Sequence, residues 1–567
     1  MPMIKFEDYQ YTRPDIAVMT VQFNERLILF ENATSFEAQS LAFDQLNELK
    51  EDFYSMRNIC QIRHTVDTTD VFYEAENSFF DEQIPHVDAL THRLYEALIA
   101  ASYREALEAK WGRQLFRIAE LSLKTFLPEI IEDLQKENRL SSDYTKLKAG
   151  AVIEFRGETY NLSSMHGMET SSDRETRSAA SEAKWAFFVK NADEFDRIFD
   201  QLVKTRHRIA QKLGYPNFVP LGYARMLRTD YDAAMVKNFR KQIEEFIVPL
   251  ATQLFERQRI RLGLDALKYY DDDFRFAAGN PKPKGDPDWI VENASKMYAE
   301  LSPQTDTFFR FMRDCNLMDL EAKPGKATGG YCTYINKYQA PYIFSNFNGS
   351  SQDIYVLTHE AGHAFQVYNS RNMGLGEYHW PTYEACEIHS MSMEYFTWPW
   401  MNLFFLEDAD KYRFAHVNDS VCFLPYGVAV DEFQHVVYEN PDFTPQQRHQ
   451  AWREIERRYL PHRNYEDNPH LEAGAFWQKQ THIYAYPFYY IDYTLAQICA
   501  FQFWKRNNEN HESAWADYVS LCKAGGSKSF LDLVALAGLR SPFEDGCLAS
   551  VIDNIEGWLD SVDDTAF

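Results

Sequence analysis

Thr358-His359-Glu360-Ala361-Gly362-His363-Ala364-Phe365 places two histidines four residues apart, with a glutamate directly after the first. On a helix, positions i and i+4 share one face. His359 and His363 can then offer ring nitrogens to one Zn²⁺, while Glu360 reaches a water held on that ion. The flanking residues predict such a helix. Ile354, Leu357, Ala361 and Ala364 recur at helical spacing, and Asn348-Gly349-Ser350-Ser351 supplies a turn ahead of them. Ser350 with Asp353 has the form of a capping box, so the helix is expected to open near Gln352 and to end near Asn369, before Gly374 and Gly376. A buried helix with two hydrogen-bonded histidines is the competing reading. The motif and its capping together favour a catalytic metal.

A catalytic zinc takes three protein ligands and leaves one position open. Extending the motif to a third histidine would need Gly and His where Gln366 and Asn369 stand, so a carboxylate is expected instead. Glu377, Glu384, Glu387 and Glu394 follow. Residues 383–394 read as a helix with Glu384, Glu387 and Glu394 near one face, and spacing alone does not choose between Glu384 and Glu387.

The segments His359-Glu360-Ala361-Gly362-His363 and Glu387-Ile388-His389-Ser390-Met391-Ser392-Met393-Glu394 resemble the thimet oligopeptidase and oligoendopeptidase F family. The likeness is greatest to its bacterial oligoendopeptidase branch, which includes the Pz-peptidases. Residues 171–177, 341–349, 487–493 and 524–529 also resemble that branch, so the likeness runs from about residue 170 to the C-terminus. It implies one zinc per chain on His359, His363 and Glu387, with Glu360 as base and Glu384 as a residue that orients a ligand. It also implies a mainly α fold: a helical ellipsoid of two lobes around a deep substrate channel, with a small β-sheet beside the zinc helix. The expected division is a helical lobe at 1–195 and a metallopeptidase domain at 196–567.

Peptide hydrolysis builds negative charge on the carbonyl oxygen, which a fixed donor must meet. The stretch from His482 to Tyr493 supplies several donors. By the family likeness His482, Tyr486, Tyr490 and Tyr493 are assigned to substrate or oxyanion contact, with Tyr489 as the alternative to Tyr490. Core packing is the competing reading for each of these tyrosines. The turn at 329–331 and the run 342–347 are expected to offer backbone groups and a sheet edge to an extended peptide.

The formal net charge of −26 repels nucleic acid and anionic membrane alike, and no basic patch offsets it. Neither partner is expected; short peptides are. No apolar run reaches the roughly 18 residues of a membrane span, and the opening residues 1–8 lack the apolar core of a signal peptide. The eight cysteines form no Cys-x-x-Cys pair, which fits a reducing cytoplasm. Aromatic residues make up 15% of the chain, a surplus that suits large helix–helix cores.

Residues 36–56 and 84–111 read as long helices, residues 150–164 as a hairpin about Arg156-Gly157, and residues 230–267 as another amphipathic stretch. Ser172-Asp173-Arg174-Glu175 has the form of a capping box, and the proline-rich loop at 279–287 marks a lobe boundary. Residues 331–335 and 342–347 read as strands. Asp271-Asp272-Asp273 lacks the spacing of a calcium loop and reads as a solvated turn, while Gly525-Gly526-Ser527-Lys528-Ser529 reads as a helix-joining turn rather than a phosphate loop.

These features predict a cytoplasmic zinc oligopeptidase that cuts short peptides internally. Two rivals are a related helical zinc enzyme releasing dipeptides from a C-terminus, and a non-catalytic peptide-binding protein with a structural zinc. Glu360 argues against the second, since a structural site needs no base.

Overall fold

The computed structural model describes residues 4–162, 164–323, 325–327, 329–466 and 468–567. Ser163 of the expected hairpin and Pro324 and Thr328 of the loop before the sheet lie outside the described residues. The chain is mainly helical, as expected. Its N-terminal part is an array of long helices, Ile16–Glu31, Phe36–Val66 and Val71–Ile99. Ser35 opens the second by accepting from the Ala38 amide at 3.2 Å, and Asp70 opens the third through the amides of Phe72 and Tyr73. The helix expected at 84–111 is therefore two: Val71–Ile99, which carries Pro85 in its interior, and Arg104–Trp111. Inward-facing Phe80, Val87, Leu90 and Leu94 are buried, and this packing offsets the hydrogen bond that Pro85 removes.

Residues 230–267 fold as Ala233–Gln242, a five-residue π-turn at Ile243–Ile247, and Val248–Arg261. The helix Arg174–Lys190 is capped by Asp173 rather than Ser172, its carboxylate accepting from the Thr176 amide. A continuous helix, Ala192–Lys212, runs through residue 195.

A two-stranded hairpin joins β1 (Ile153–Phe155) to β2 (Glu158–Tyr160). Its turn places Arg156 at φ 52° and Gly157 at φ 85°, the double left-handed pair of a tight hairpin. The second sheet has three strands, β3 (Met318–Glu321), β4 (Tyr331–Ile335) and β5 (Ala340–Phe347), in the order β3-β5-β4. β4 pairs antiparallel and β3 parallel with β5. The run 342–347 is thus the central strand; β3 and β4 are the edges, and β4 is the edge that lines a cavity with His359 and Glu360. β3 escaped the sequence reading because four residues, Met-Asp-Leu-Glu, carry too short an alternation to mark a strand.

Behind β5 lies the motif helix, Gln352–Ser370. Its start is fixed by Asp353, whose carboxylate accepts from the amides of Asn348 and Gly349 at 2.9 and 2.8 Å; Ser350 does not cap it. The next helix, Tyr383–Phe396, crosses the motif helix at Gly362. A Cβ at Gly362 would stand 2.7 Å from both the His389 carbonyl oxygen and the Ser390 Cα. Between the two helices, Tyr378 packs into the N-terminal core beside Leu115 and Phe116, and buried Lys50 pairs with Glu377 at 2.5 Å. The Gly525-Gly526 turn joins helices, as expected, and docks there too: the Gly526 amide donates to the Tyr378 carbonyl.

The close crossing yields a test. Gly362→Ala forces a methyl into backbone atoms that cannot give way, so thermal stability is expected to fall by about 1–3 kcal/mol. Metal retention should fall with it. A variant that melts like the parent and keeps its metal would contradict the crossing.

Candidate metal centre

The crossing brings three donors together. Glu387 Oε2 lies 3.2 Å from His359 Nε2 and 3.5 Å from His363 Nε2, and the three ligand atoms all fall within 4.8 Å of one another. An ion held tetrahedrally with bonds of 2.0–2.1 Å separates its ligands by about 3.3 Å, so these residues fit a metal. Burial alone would raise the Glu387 carboxyl. His363 and His359 outweigh it and hold the group well below the ordinary range, so it is a carboxylate.

Of the candidate glutamates, each has a separate partner. Glu377 pairs with Lys50. Glu384 accepts from the Thr382 hydroxyl at 2.9 Å and sits beside Asp492 and Arg228; burial and then Asp492 push its carboxyl up. It does not orient a ligand, contrary to expectation. Glu394 does. One of its oxygens accepts from His359 Nδ1 at 2.7 Å, which leaves Nε2 free to bind an ion. The other accepts from His416 Nε2 at 2.7 Å, and Trp398 Nε1 donates to His416 Nδ1 at 2.8 Å. Trp398 thereby sets the His416 proton on the nitrogen that faces Glu394. The Glu394 position on the Glu387 face was legible in the sequence. His416 lies on the helix Ala409–Glu439, and only the fold brings it here.

Glu360 points between two cavities of about 510 and 540 Å³, whose walls share Gly330, His359, Glu360 and Tyr493. Burial raises its carboxyl, and His359 and His363 oppose that rise. A carboxyl moved towards neutrality suits a base that must take and return a proton.

Opposite stand the aromatic residues. Pro487 interrupts the aromatic stretch: Thr481–Ala485 ends, residues 486–489 turn, and Tyr490–Glu509 begins. Tyr486 therefore stands 59% exposed and lines neither cavity, unlike the other expected donors, with its ring 6.1 Å from that of His482. His482 and Tyr490 line the 510 Å³ cavity, and Tyr493 lines both. Tyr489, the alternative to Tyr490, donates its hydroxyl to Glu387 Oε1 at 3.0 Å. Burial, and for Tyr489 and Tyr493 the Glu387 charge, raise these phenols, so they stay protonated and remain donors. Burial and then Lys148 lower His482 to about 4, so its ring is neutral near pH 7. Tyr426 donates to the Gln480 carbonyl, which turns the Gln480 amide towards His482 Nδ1 at 2.8 Å and leaves the ring proton on Nε2. The turn is held from behind. Phe488 adopts φ 66°, its carbonyl accepts from Arg228, and its ring lies where a Cβ on Gly222 would be, 2.5 Å away.

Residues 6–126 match the peptidase M3 N-terminal domain, and residues 305–551 match peptidase family M3. A solved structure of Pz peptidase A with an inhibitor is 59% identical, over 99% of this chain and 100% of that one, with a TM-score of 0.94. The chain belongs to peptidase family M3. The Oligoendopeptidase F homolog of Borreliella burgdorferi is 23% identical over 59% of this chain and 57% of that protein. Oligoendopeptidase F, chromosomal, of Lactococcus lactis subsp. cremoris is 23% identical over 71% of this chain and 65% of its own length. The chain thus spans about three fifths of the length of these curated relatives. The family resemblance read from the sequence holds, and so does the mainly helical fold with its small sheet beside the motif helix. Among the described residues of this M3 chain, no helix is long and apolar enough to cross a membrane.

Glu394→Gln tests the orienting role. The amide keeps the volume but cannot accept equally from both rings. Metal affinity, measured by competition with a chelator, should fall about 10- to 100-fold. Unchanged affinity would remove Glu394 from the site.

Proposed function

We propose that this chain is a zinc metalloendopeptidase that hydrolyses internal bonds of short, unstructured peptides in the cytoplasm. The observation that carries the reading is Glu360 placed between two cavities beside the His359, His363 and Glu387 donors. Two nitrogens and one carboxylate oxygen are the donor set of a catalytic rather than a structural zinc, and the eight cysteines, all free, suit a reducing compartment.

When bound, zinc supplies Lewis-acid activation of water and of the scissile carbonyl. The residues of the chain do the rest. Glu360 takes the proton of the attacking water and returns it to the leaving nitrogen. Tyr493 and the Nε2–H of His482 donate to the carbonyl oxygen as its charge grows, and their neutral, half-buried state makes each bond stronger than it would be in water. Tyr489 holds Glu387, and Glu394 holds His359, so the donors do not have to reorganise during the step. The free edge of β4 takes the peptide in extended form, which excludes folded substrates.

Two measurements test this. Glu360→Gln should keep its zinc while turnover falls by at least about 10²-fold, whereas Glu387→Gln should lose zinc. Near-normal activity in the first, or the reverse pattern of metal loss, would overturn the assigned roles. A quenched peptide blocked at both ends should still be cut, and chelation should abolish the cut. Loss of cleavage on blocking the C-terminus would favour the dipeptide-releasing enzyme, and bound zinc without any cleavage the binding protein.

A further inference from the structure

His482 stands on a helix of five residues, Thr481–Ala485, whose opening residue Gln480 makes no side-chain cap. So short a helix has no stability of its own, because its first turn fixes three residues for a single hydrogen bond. Whatever holds the His482 ring in place must reach it from outside.

The hold comes from the last turns of a helix far earlier in the chain, Ile131–Ala149. Lys148 donates from Nζ to the Lys479 carbonyl at 2.8 Å and to the Thr481 hydroxyl at 2.9 Å, across 331 and 333 residues of sequence. Tyr144, one turn before it, donates its hydroxyl to the Gln478 carbonyl at 3.1 Å, and its ring stacks on that of Tyr484 with 3.9 Å between centroids. The two side chains thus fix residues 478, 479 and 481 ahead of His482 and residue 484 behind it. Arg206, on the helix Ala192–Lys212, closes the same segment by donating to the Tyr484 carbonyl at 2.6 Å.

These contacts differ in kind. Tyr144, Tyr484 and Arg206 are fully buried and belong to the core. Lys148 is half-buried, and both of its acceptors are neutral. An ammonium drawn partly out of water against neutral acceptors costs free energy, and burial, with Lys184 nearby, pushes it down to about 8. It is still protonated near pH 7, and a charged donor makes the stronger bond. Packing alone would be served as well by an aliphatic chain of similar length. Such a chain would not supply two bonds within three residues of the imidazole. Gln480 sets which ring nitrogen carries the proton, and Lys148 is left to set where the ring stands.

We propose that Lys148 is a positioning residue for His482, fixing through Lys479 and Thr481 the place from which the Nε2–H meets the scissile carbonyl. The inference rests on the peptidase reading above, in which His482 donates to the carbonyl oxygen. Lys148 lines neither cavity, so its effect on the reaction passes through the ring.

The test is a double-variant cycle on one doubly blocked quenched peptide. His482→Phe should lower kcat by at least about 10²-fold, the scale of one oxyanion donor. Lys148→Met should lower kcat by about tenfold, the scale of one charge-assisted hydrogen bond, with KM and bound zinc unchanged, since the donor acts on charge that grows only in the transition state. In the His482→Phe background Lys148→Met should lower kcat no further, because the ring it positions is gone. A general loosening of the fold would lower both backgrounds alike. Full kcat in Lys148→Met, or an equal fall with and without His482, would overturn the proposal. Should Lys148→Met fail to fold, Thr481→Val, which removes one of its two acceptors, replaces it in the cycle and is read by the same non-additivity. If the wild-type enzyme cuts no peptide, the peptidase reading falls. The ring-carbon resonance of His482, identified by its loss in His482→Phe, then judges the positioning, and a resonance that stays in place in Lys148→Met would overturn it.

Discussion

The metal centre depends on how closely two helices cross at Gly362. Interaxial distances are set by the side chains at the contact point, and here one partner has none. That missing methyl lets the Glu387 carboxylate reach the imidazoles of His359 and His363, although the residues come from separate helices. The five-residue motif therefore supplies more than two imidazoles and a carboxylate. Its glycine sets the distance at which Glu387 arrives beside them.

Orientation is a separate matter from distance, and the chain assigns it to groups far away in sequence. Glu394 and His416 fix the first histidine, and Tyr489 fixes the glutamate. The helix Tyr490–Glu509 packs along Tyr383–Phe396, so the aromatic wall and the ligand glutamate share one interface. Beneath that interface Arg228 ties Asp492 to the Phe488 carbonyl inside a fully buried ion pair. Removing one member of such a pair leaves a buried charge without a partner.

What the sequence disclosed follows the range of the interactions concerned. The bounds of the motif helix, the hairpin at Arg156-Gly157 and the strands β4 and β5 are local matters of periodicity and turn chemistry, and all were legible. Caps were read one or two residues out, because Asp353 reaches back where Ser350 was expected to reach forward. The choice of Glu387 over Glu384 was not available from spacing, since both lie near one helix face and only their remote neighbours differ. The resemblance to the family pointed to Glu387, and the donor distances agree. Asp271, fully buried against Arg174 and Arg177, looked like a solvated residue because those two partners stand nearly a hundred positions earlier. Tyr486 was assigned by the family likeness, and the turn at 486–489 leaves it outside both cavities.

The turn at 486–489 has one more consequence. Phe488 holds a left-handed backbone because Gly222 leaves room for its ring and Arg228 grips its carbonyl. Tyr489 is thus fixed against Glu387 in the free protein. The ordering entropy of this wall is charged to folding and not to each binding event. What remains to be lost on association is the freedom of the peptide itself, so a ligand stiffened in the extended form should gain more from its rigidity here than against a wall that must close around it.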